Sequence, residues 1–153
     1  MEISENREAG SLLSFKKICR DHGLSITPQR VAIYVELTHS KGHPSAMMIY
    51  KKVSREYPNI SLDTVNRTLL TFHEIGLIKV LESTGEPKRF DPNLKPHHHL
   101  RCVKCGKIID FVSDLYDSLA IPEELLKKFV ILEKRVHLEG YCQDCKEFEG
   151  VYS

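Results

Sequence analysis

The chain has 153 residues, 41% of them hydrophobic, which is enough for one domain or two small ones with a real core. Its net charge of +1 argues against an indiscriminate polycation, and no apolar run reaches the about 20 residues of a membrane helix. The opening MEISENREAG is polar and acidic rather than a secretory leader, so a soluble protein of the reducing cytoplasm is expected. Paired cysteines in that compartment read as metal ligands before disulfides.

The charge is unevenly spread. Residues 11–73 hold nine Lys/Arg against four Asp/Glu, while the remainder carries 13 against 17. A basic block within a neutral chain is either a nucleic-acid face or plain solvated surface.

In chain order, 11–22 reads as a helix with Leu12, Leu13, Phe15, Ile18 and Cys19 on one side. Thr27 caps a second helix over 28–38, with Pro28 in its first turn and Val31, Ile33, Val35 and Leu37 partly inward. Gly42-His43-Pro44 breaks the chain, and Ser45 caps a third helix to about Tyr57. Ser61 caps a fourth, which buries Leu62, Val65, Leu69 and Phe72 and turns Arg67 outward, with Thr64 and Asn66 on the flanks. Segments 77–81 and 88–90, joined across 84–87, form a hairpin. Helices followed by such a hairpin describe a winged helix-turn-helix.

The expected organisation is α+β: a winged-helix domain over 1–91, a Pro-rich hinge at 92–96, and a small α/β domain over 97–153. In that second part 98–102 and 108–111 are predicted strands. A helix covers 115–129, interrupted near Pro122, and a strand-like stretch precedes Cys142.

The chemistry-bearing residues fall in three groups. Cys102-x-x-Cys105 and Cys142-x-x-Cys145 are two matched pairs, and four thiolates complete a tetrahedron with no open position, the mark of structural zinc. Unrelated thiols or a redox pair are the plainer alternative. Lone Cys19 reads as a core residue. In the run His97-His98-His99, strand alternation sends His97 and His99 to one face, where Asp91 and Asp110 offer oxygen donors. Nitrogen and carboxylate donors without sulfur suit Fe(II) or Mn(II), with Zn(II) also possible, unless the run is an exposed polar loop. His43 is either a further ligand or a turn residue. In the fourth helix, Ser61, Thr64, Asn66 and Arg67 stand where a recognition helix meets base edges.

Several blocks resemble the ferric uptake regulator (Fur) family of repressors: GLSITPQR at 23–30, GHPSAMMIY at 42–50, YPNISLDTVNRTL at 57–69, EIGLIKV at 74–80, RFDP at 89–92, HHHLRCVKCGKIIDF at 97–111 and YCQDC at 141–145. The resemblance implies a homodimer with an N-terminal DNA reader, a C-terminal dimerisation domain, structural zinc on the four cysteines and a second metal as corepressor. His43, Asp91, His97, His99 and Asp110 fall on the positions used by the peroxide-sensing branch (PerR), and aspartate at 91 and 110 favours that branch over relatives with glutamate there. Some relatives hold a further ion in the dimerisation domain. Here its outer positions are Pro96 and Lys134, which leaves His98 and Asp117 as remnants, with His137 undecided. Two departures touch the DNA face: Asn66 replaces the tyrosine of the usual TVYRTL, and Ser25 stands where a lysine or arginine is common.

The resulting expectation is a metal-dependent repressor of double-stranded operator DNA that senses hydrogen peroxide through Fe(II) or Mn(II), and no enzyme. Its nearest rival is an iron or zinc uptake regulator in which metal concentration is the signal. A non-haem iron enzyme and a protein-binding zinc ribbon are the more distant alternatives.

Overall fold

A computed structural model describes residues 2–4, 12–82 and 85–146. Its elements in chain order are β1 (Glu2–Ser4), α1 (Leu12–Asp21), α2 (Pro28–His39), α3 (Ala46–Glu56), α4 (Leu62–Glu74), β2 (Lys79–Leu81) and β3 (Arg89–Asp91). They continue with β4 (His98–Cys102), β5 (Ile108–Val112), α5 (Asp114–Asp117), α6 (Glu123–Lys128), β6 (His137–Gly140) and α7 (Gln143–Lys146). The described residues of Asn6–Leu94 form one compact unit, and those of Met1–Glu5 with Lys95–Ser153 form another.

The N-terminal unit is a winged helix. Hydroxyl caps set the entries of three helices: Thr27 accepts from the backbone N–H of Arg30, Ser45 from Met48 and Ser61 from Thr64. Each supplies an acceptor to a first-turn N–H that has no partner within the helix. Strands β2 and β3 pair antiparallel with Val80 opposite Phe90 and make the wing. The core gathers Ile33 and Leu37 of α2, Ile49 and Val53 of α3, Val65, Leu69 and Phe72 of α4, and Phe90 of the wing. Phe15 stacks on Tyr34 at 4.5 Å between ring centres and meets Phe72 edge-on at 5.5 Å.

The expected faces need three corrections. Leu13 is 80% exposed and Leu12 40%, so α1 buries Phe15 and Cys19 rather than all five apolar residues. Leu13 lies about 100° around the helix from Leu12, away from the stripe that Phe15 and Cys19 share. In α2, Tyr34 joins Ile33 and Leu37 inside, while Val31 and Val35 stay half-buried. In α4, Thr68 joins Val65, Leu69 and Phe72 in the buried set, whereas Leu62 is half-buried. The expected start of α1 at Ser11 and the wing-turn residue Thr84 lie outside the described residues.

The second unit is built on a four-stranded sheet in the order β1-β5-β4-β6. Strand β4 pairs antiparallel with β5 and parallel with β6, so His99 stands opposite Asp110 on one side and His137 on the other. Strand β1, unforeseen because Glu2–Ser4 is too short to show a period, adds to the outer edge of β5 with Ser4 opposite Asp110. The helix expected over 115–129 is two short pieces, α5 and α6, separated by 118–122. Pro122 cannot continue a helix from the preceding turn, and it stands as N-cap of the second piece. Of the strand-like stretch only His137–Gly140 pairs.

Candidate metal centres

The cysteine pairs sit on two tight knuckles. Strand β4 ends at Cys102, and the chain turns back through Gly106, whose left-handed backbone (φ 71°) lets its N–H reach the Cys102 carbonyl at 2.9 Å. A side chain at that position would strain the turn. The second knuckle runs from Cys142 into α7, with the Cys145 N–H on the Cys142 carbonyl. These turns bring the sulfurs of Cys102, Cys105, Cys142 and Cys145 within 4.8 Å of one another. The Sγ atoms of Cys105 and Cys142 are 3.8 Å apart. Four sulfurs about 2.3 Å from a tetrahedral ion lie about 3.8 Å from each other, so the donor set fits zinc.

The protonation pattern is that of thiols gathered for a cation. Backbone N–H groups of Cys105 and Cys142 aimed at Cys102 draw its thiol down to about 6. The neighbouring sulfur of Cys142, then burial, push Cys145 up to about 12. One sulfur is already anionic at neutral pH, and another ionises only when positive charge arrives.

The histidine run lies in strand β4 and just before it, not in an exposed loop: His97, His98 and His99 are 4%, 1% and 2% exposed. Alternation works as expected. His97 and His99 share a face and their Nε2 atoms stand 2.9 Å apart. Asp110 on β5 brings Oδ1 to 3.5 Å from His99 and 3.8 Å from His97. The Nδ1–H of His97 donates to the Lys95 carbonyl at 2.6 Å, which leaves the Nε2 lone pair directed at the shared point. Cis donors about 2.1 Å from one ion lie about 3 Å apart, so this trio matches a nitrogen- and oxygen-ligated divalent metal.

A second pair forms in the N-terminal unit. His43 is the one non-glycine residue with a left-handed backbone among those described (φ 55°), and it follows Gly42 at φ 74°. The loop is pinned to the wing by the Phe90 N–H on the Pro44 carbonyl at 3.0 Å and by the bridge between Ser45 and Arg89. His43 is thereby fully buried, with Nε2 3.2 Å from Oδ2 of Asp91 at the end of β3. Asp91 Oδ1 accepts from the Asn93 N–H, which fixes the carboxylate plane. The structure thus buries His43 beside a carboxylate rather than leaving it on the surface of a turn. A backbone conformation that few side chains adopt, held to bury an imidazole beside a carboxylate, is a feature of functional loops.

The remnants of the further site hold no cluster of three metal donors among the described residues. The backbone N–H of Val136 donates to Nδ1 of His98 at 3.1 Å, so Nε2 carries the proton and faces Oδ1 of Asp117 at 3.1 Å. The ammonium of Lys134 donates to the carbonyls of Asp117 and Leu119. His137 lies beside His99, with ring centres 5.2 Å apart.

On α4, Ser61 and Thr64 are engaged with each other: the Ser61 hydroxyl caps the Thr64 N–H at 3.0 Å and meets its Oγ1 at 2.8 Å. Arg67 projects outward, 78% exposed and 3.7 Å from Asp63 of the same helix. Asn66 is half-buried and lines a cleft with Leu62, Asp63, Ala46, Met47, Pro87 and Lys88 of the wing side.

The model of the ferric uptake regulator family matches residues 21–141. The chain is 39% identical over 128 residues to the peroxide-responsive repressor PerR of Staphylococcus epidermidis, spanning 84% of this chain and 85% of that one. In fold it is similar to the Helicobacter pylori ferric uptake regulator, with a TM-score of 0.74 at 24% identity over 95% of this chain and 97% of that one. It is also similar to PerR from Streptococcus pyogenes, a structure described for peroxide sensing and gene regulation. There the TM-score is 0.51 at 27% identity, covering 94% of this chain and 99% of that one.

Proposed function

Because the chain belongs to the ferric uptake regulator family, we propose that it is a metal-dependent repressor of double-stranded operator DNA that responds to hydrogen peroxide. The observation that carries this reading is the buried trio His97, His99 and Asp110, whose donors converge with no sulfur among them. His43 and Asp91 are assigned to the same ion. A trio of two imidazoles and one carboxylate leaves coordination positions open, and the pre-set His43–Asp91 pair has the donor chemistry to fill two of them. Fe(II) or Mn(II) is the expected occupant, Zn(II) can substitute, and the four cysteines hold structural zinc.

Bound Fe(II) would activate peroxide for cleavage of its O–O bond, and the two electrons of the net reduction come from the imidazole that is oxidised. The residues do the rest. Burial keeps bulk water from the donors, the Lys95 carbonyl orients His97, and the strained loop orients His43. One peroxide oxygen added to the imidazole of His43 or His97, with the other leaving as water, would remove a donor and weaken the hold of the remaining residues on the ion. Since His43 and Asp91 belong to the winged helix, loss of the ion unties the reader from the metal-binding half and the operator is released. The reader is α4: Arg67 suits guanine or phosphate, and Asn66 suits adenine. The resemblance sets Asn66 against the tyrosine of the usual family motif and Ser25 against a common lysine or arginine, so the operator preference differs from the family's usual one by the about 1–3 kcal/mol of a changed base contact.

The homodimer reading is supported by 112–133, where no residue is buried and nine large apolar side chains are exposed, Leu132 93% and Val130 87% among them. Apolar surface on that scale marks an interface. Among the described residues no helix is long and apolar enough to cross a membrane, and the cytoplasm is the proposed location. The two-His-one-carboxylate trio is also a ligand set of oxygen-using enzymes, but membership of a regulator family makes regulation, not turnover, the reading.

The test is to load protein anaerobically with Fe(II) or Mn(II) and add a slight excess of peroxide. The Fe(II) form should gain the mass of one oxygen on His43 or His97 and lose operator binding, while the Mn(II) form keeps both. A protein whose Fe(II) form survives peroxide unchanged is a metal-concentration regulator instead.

A further inference from the structure

We infer that Lys134 is a built-in cation that ties off the apolar segment 118–133 and thereby sets the shape of the surface a second copy of this chain covers. The inference rests on the homodimer reading for its partner, not for the tie itself.

The segment needs an anchor from elsewhere. Neither α5 nor α6 buries a residue, and from 112 to 133 every side chain is half-buried at most. A chain of that kind has no core of its own to hold one conformation. Its two ends are nevertheless joined. The Lys134 ammonium donates to the Asp117 carbonyl at 2.5 Å and to the Leu119 carbonyl at 2.7 Å. Those carbonyls belong to the last turn of α5 and the residues after it, where helix geometry leaves acceptors without partners and where positive charge is favoured.

The tie is part of a closed circuit. His98 of β4 reaches Asp117 of α5 through Nε2. Lys134 binds the backbone at and beyond Asp117. Two residues later, the Val136 N–H returns to His98 through Nδ1. The rings of Phe111 and Tyr116 flank His98, with centres at 5.4 and 5.7 Å. The loop 118–133 thus leaves and re-enters the sheet through one hydrogen-bonded gate. An ammonium is the right group for it, because it donates to several carbonyls at once and needs no metal supply. Presetting the loop removes ordering cost from association, which is how a distant lysine influences affinity.

The test compares Lys134→Met and Lys134→Arg with the parent chain, all zinc-loaded, by hydrogen exchange over 118–133 and by sedimentation. Lys134→Met keeps the length of the stem and removes the donors. It should lose exchange protection across 118–133, keep its zinc, and dimerise about tenfold more weakly, the effect of losing hydrogen bonds to a charged group. Lys134→Arg should recover most of both, which general damage to the fold would not allow. Unchanged exchange in Lys134→Met overturns the inference. A parent chain that is monomeric at every concentration overturns the homodimer reading, and with it the role given to the surface. The exchange result then still decides the tie.

Discussion

The two units hold themselves together by different means. In the winged helix, fourteen buried apolar residues interlock from α1 to the wing. In the second unit the buried apolar cluster consists of Cys102, Cys142 and Cys145, and the other well-buried side chains include His97, His98, His99 and Asp110. The first unit has the ordinary hydrophobic driving force. The second has buried thiols, imidazoles and a carboxylate, groups whose burial is unfavourable until a cation joins them, and an apolar surface turned outward. On the proposed reading, stability in that half comes from ligands: an ion among the sulfurs and a second copy over 112–133.

The sharpest way to break this contrast is to remove zinc. Cys142→Ser, or stripping by a strong chelator, should cost the second unit on the order of 10 kcal/mol, the binding energy of a tetrathiolate site in small domains. Residues 95–146 should lose exchange protection and the dimer should dissociate, while the helices of 12–74 stay protected. If both halves unfold together, stability is shared and the contrast fails. The protons sharpen the point. Zinc must displace the proton that neighbouring sulfur holds on Cys145 up to about 12, whereas Cys102, drawn down to about 6, has little to give at neutral pH. Uptake should therefore weaken as pH falls, with Cys145 among the proton sources and Cys102 contributing more as pH approaches about 6, as read by proton release during zinc titration.

The converse experiment is Phe72→Ala. Phe72 is fully buried and packs edge-on against Phe15 and Tyr34. Truncation should destabilise the winged helix by about 3–5 kcal/mol, read by denaturant unfolding, with zinc content unchanged. Loss of zinc from this variant would show that the second unit leans on the first.

A third perturbation separates the two metal sets. Asp110→Ala should keep zinc and the fold, yet bind the second metal more weakly by more than the roughly 10–100-fold seen when only supporting contacts are lost. Operator binding should then no longer respond to Mn(II). A variant that still answers to Mn(II) would remove Asp110 from the proposed ligand set.

Legibility in the sequence follows the same divide. The winged helix was readable because its signals are local: Thr27, Ser45 and Ser61 before apolar stripes, and Val65, Leu69 and Phe72 at helical spacing. The cysteine knuckles were readable because chelation demands a short spacing. What escaped depends on contacts far along the chain. From its local sequence His43 stays open between ligand and turn residue, and only the resemblance puts it in the ligand set, because its setting lies in a left-handed backbone and in Asp91, 48 positions later. Strand β1 is defined only by the edge of β5 that it covers. Lys134 looked like a lost ligand, because no local pattern reveals that its ammonium meets carbonyls of 117 and 119.

The smallest expected effect tests whether α4 is set by its cap as well as by its core. The Ser61 hydroxyl accepts from the Thr64 N–H and contacts the Thr64 hydroxyl, so Ser61→Ala leaves a first-turn donor to solvent and should cost about 1 kcal/mol. Ser61→Asp, which restores an acceptor and adds charge that suits a helix N-terminus, should recover that stability. On DNA the two variants part company. A carboxylate at the proposed reading end of α4 opposes phosphate, so Ser61→Asp should bind operator more weakly than Ser61→Ala despite being the more stable protein. If binding instead follows stability through both variants, Ser61 acts only as a cap, and the contact surface begins further along the helix at Asn66 and Arg67.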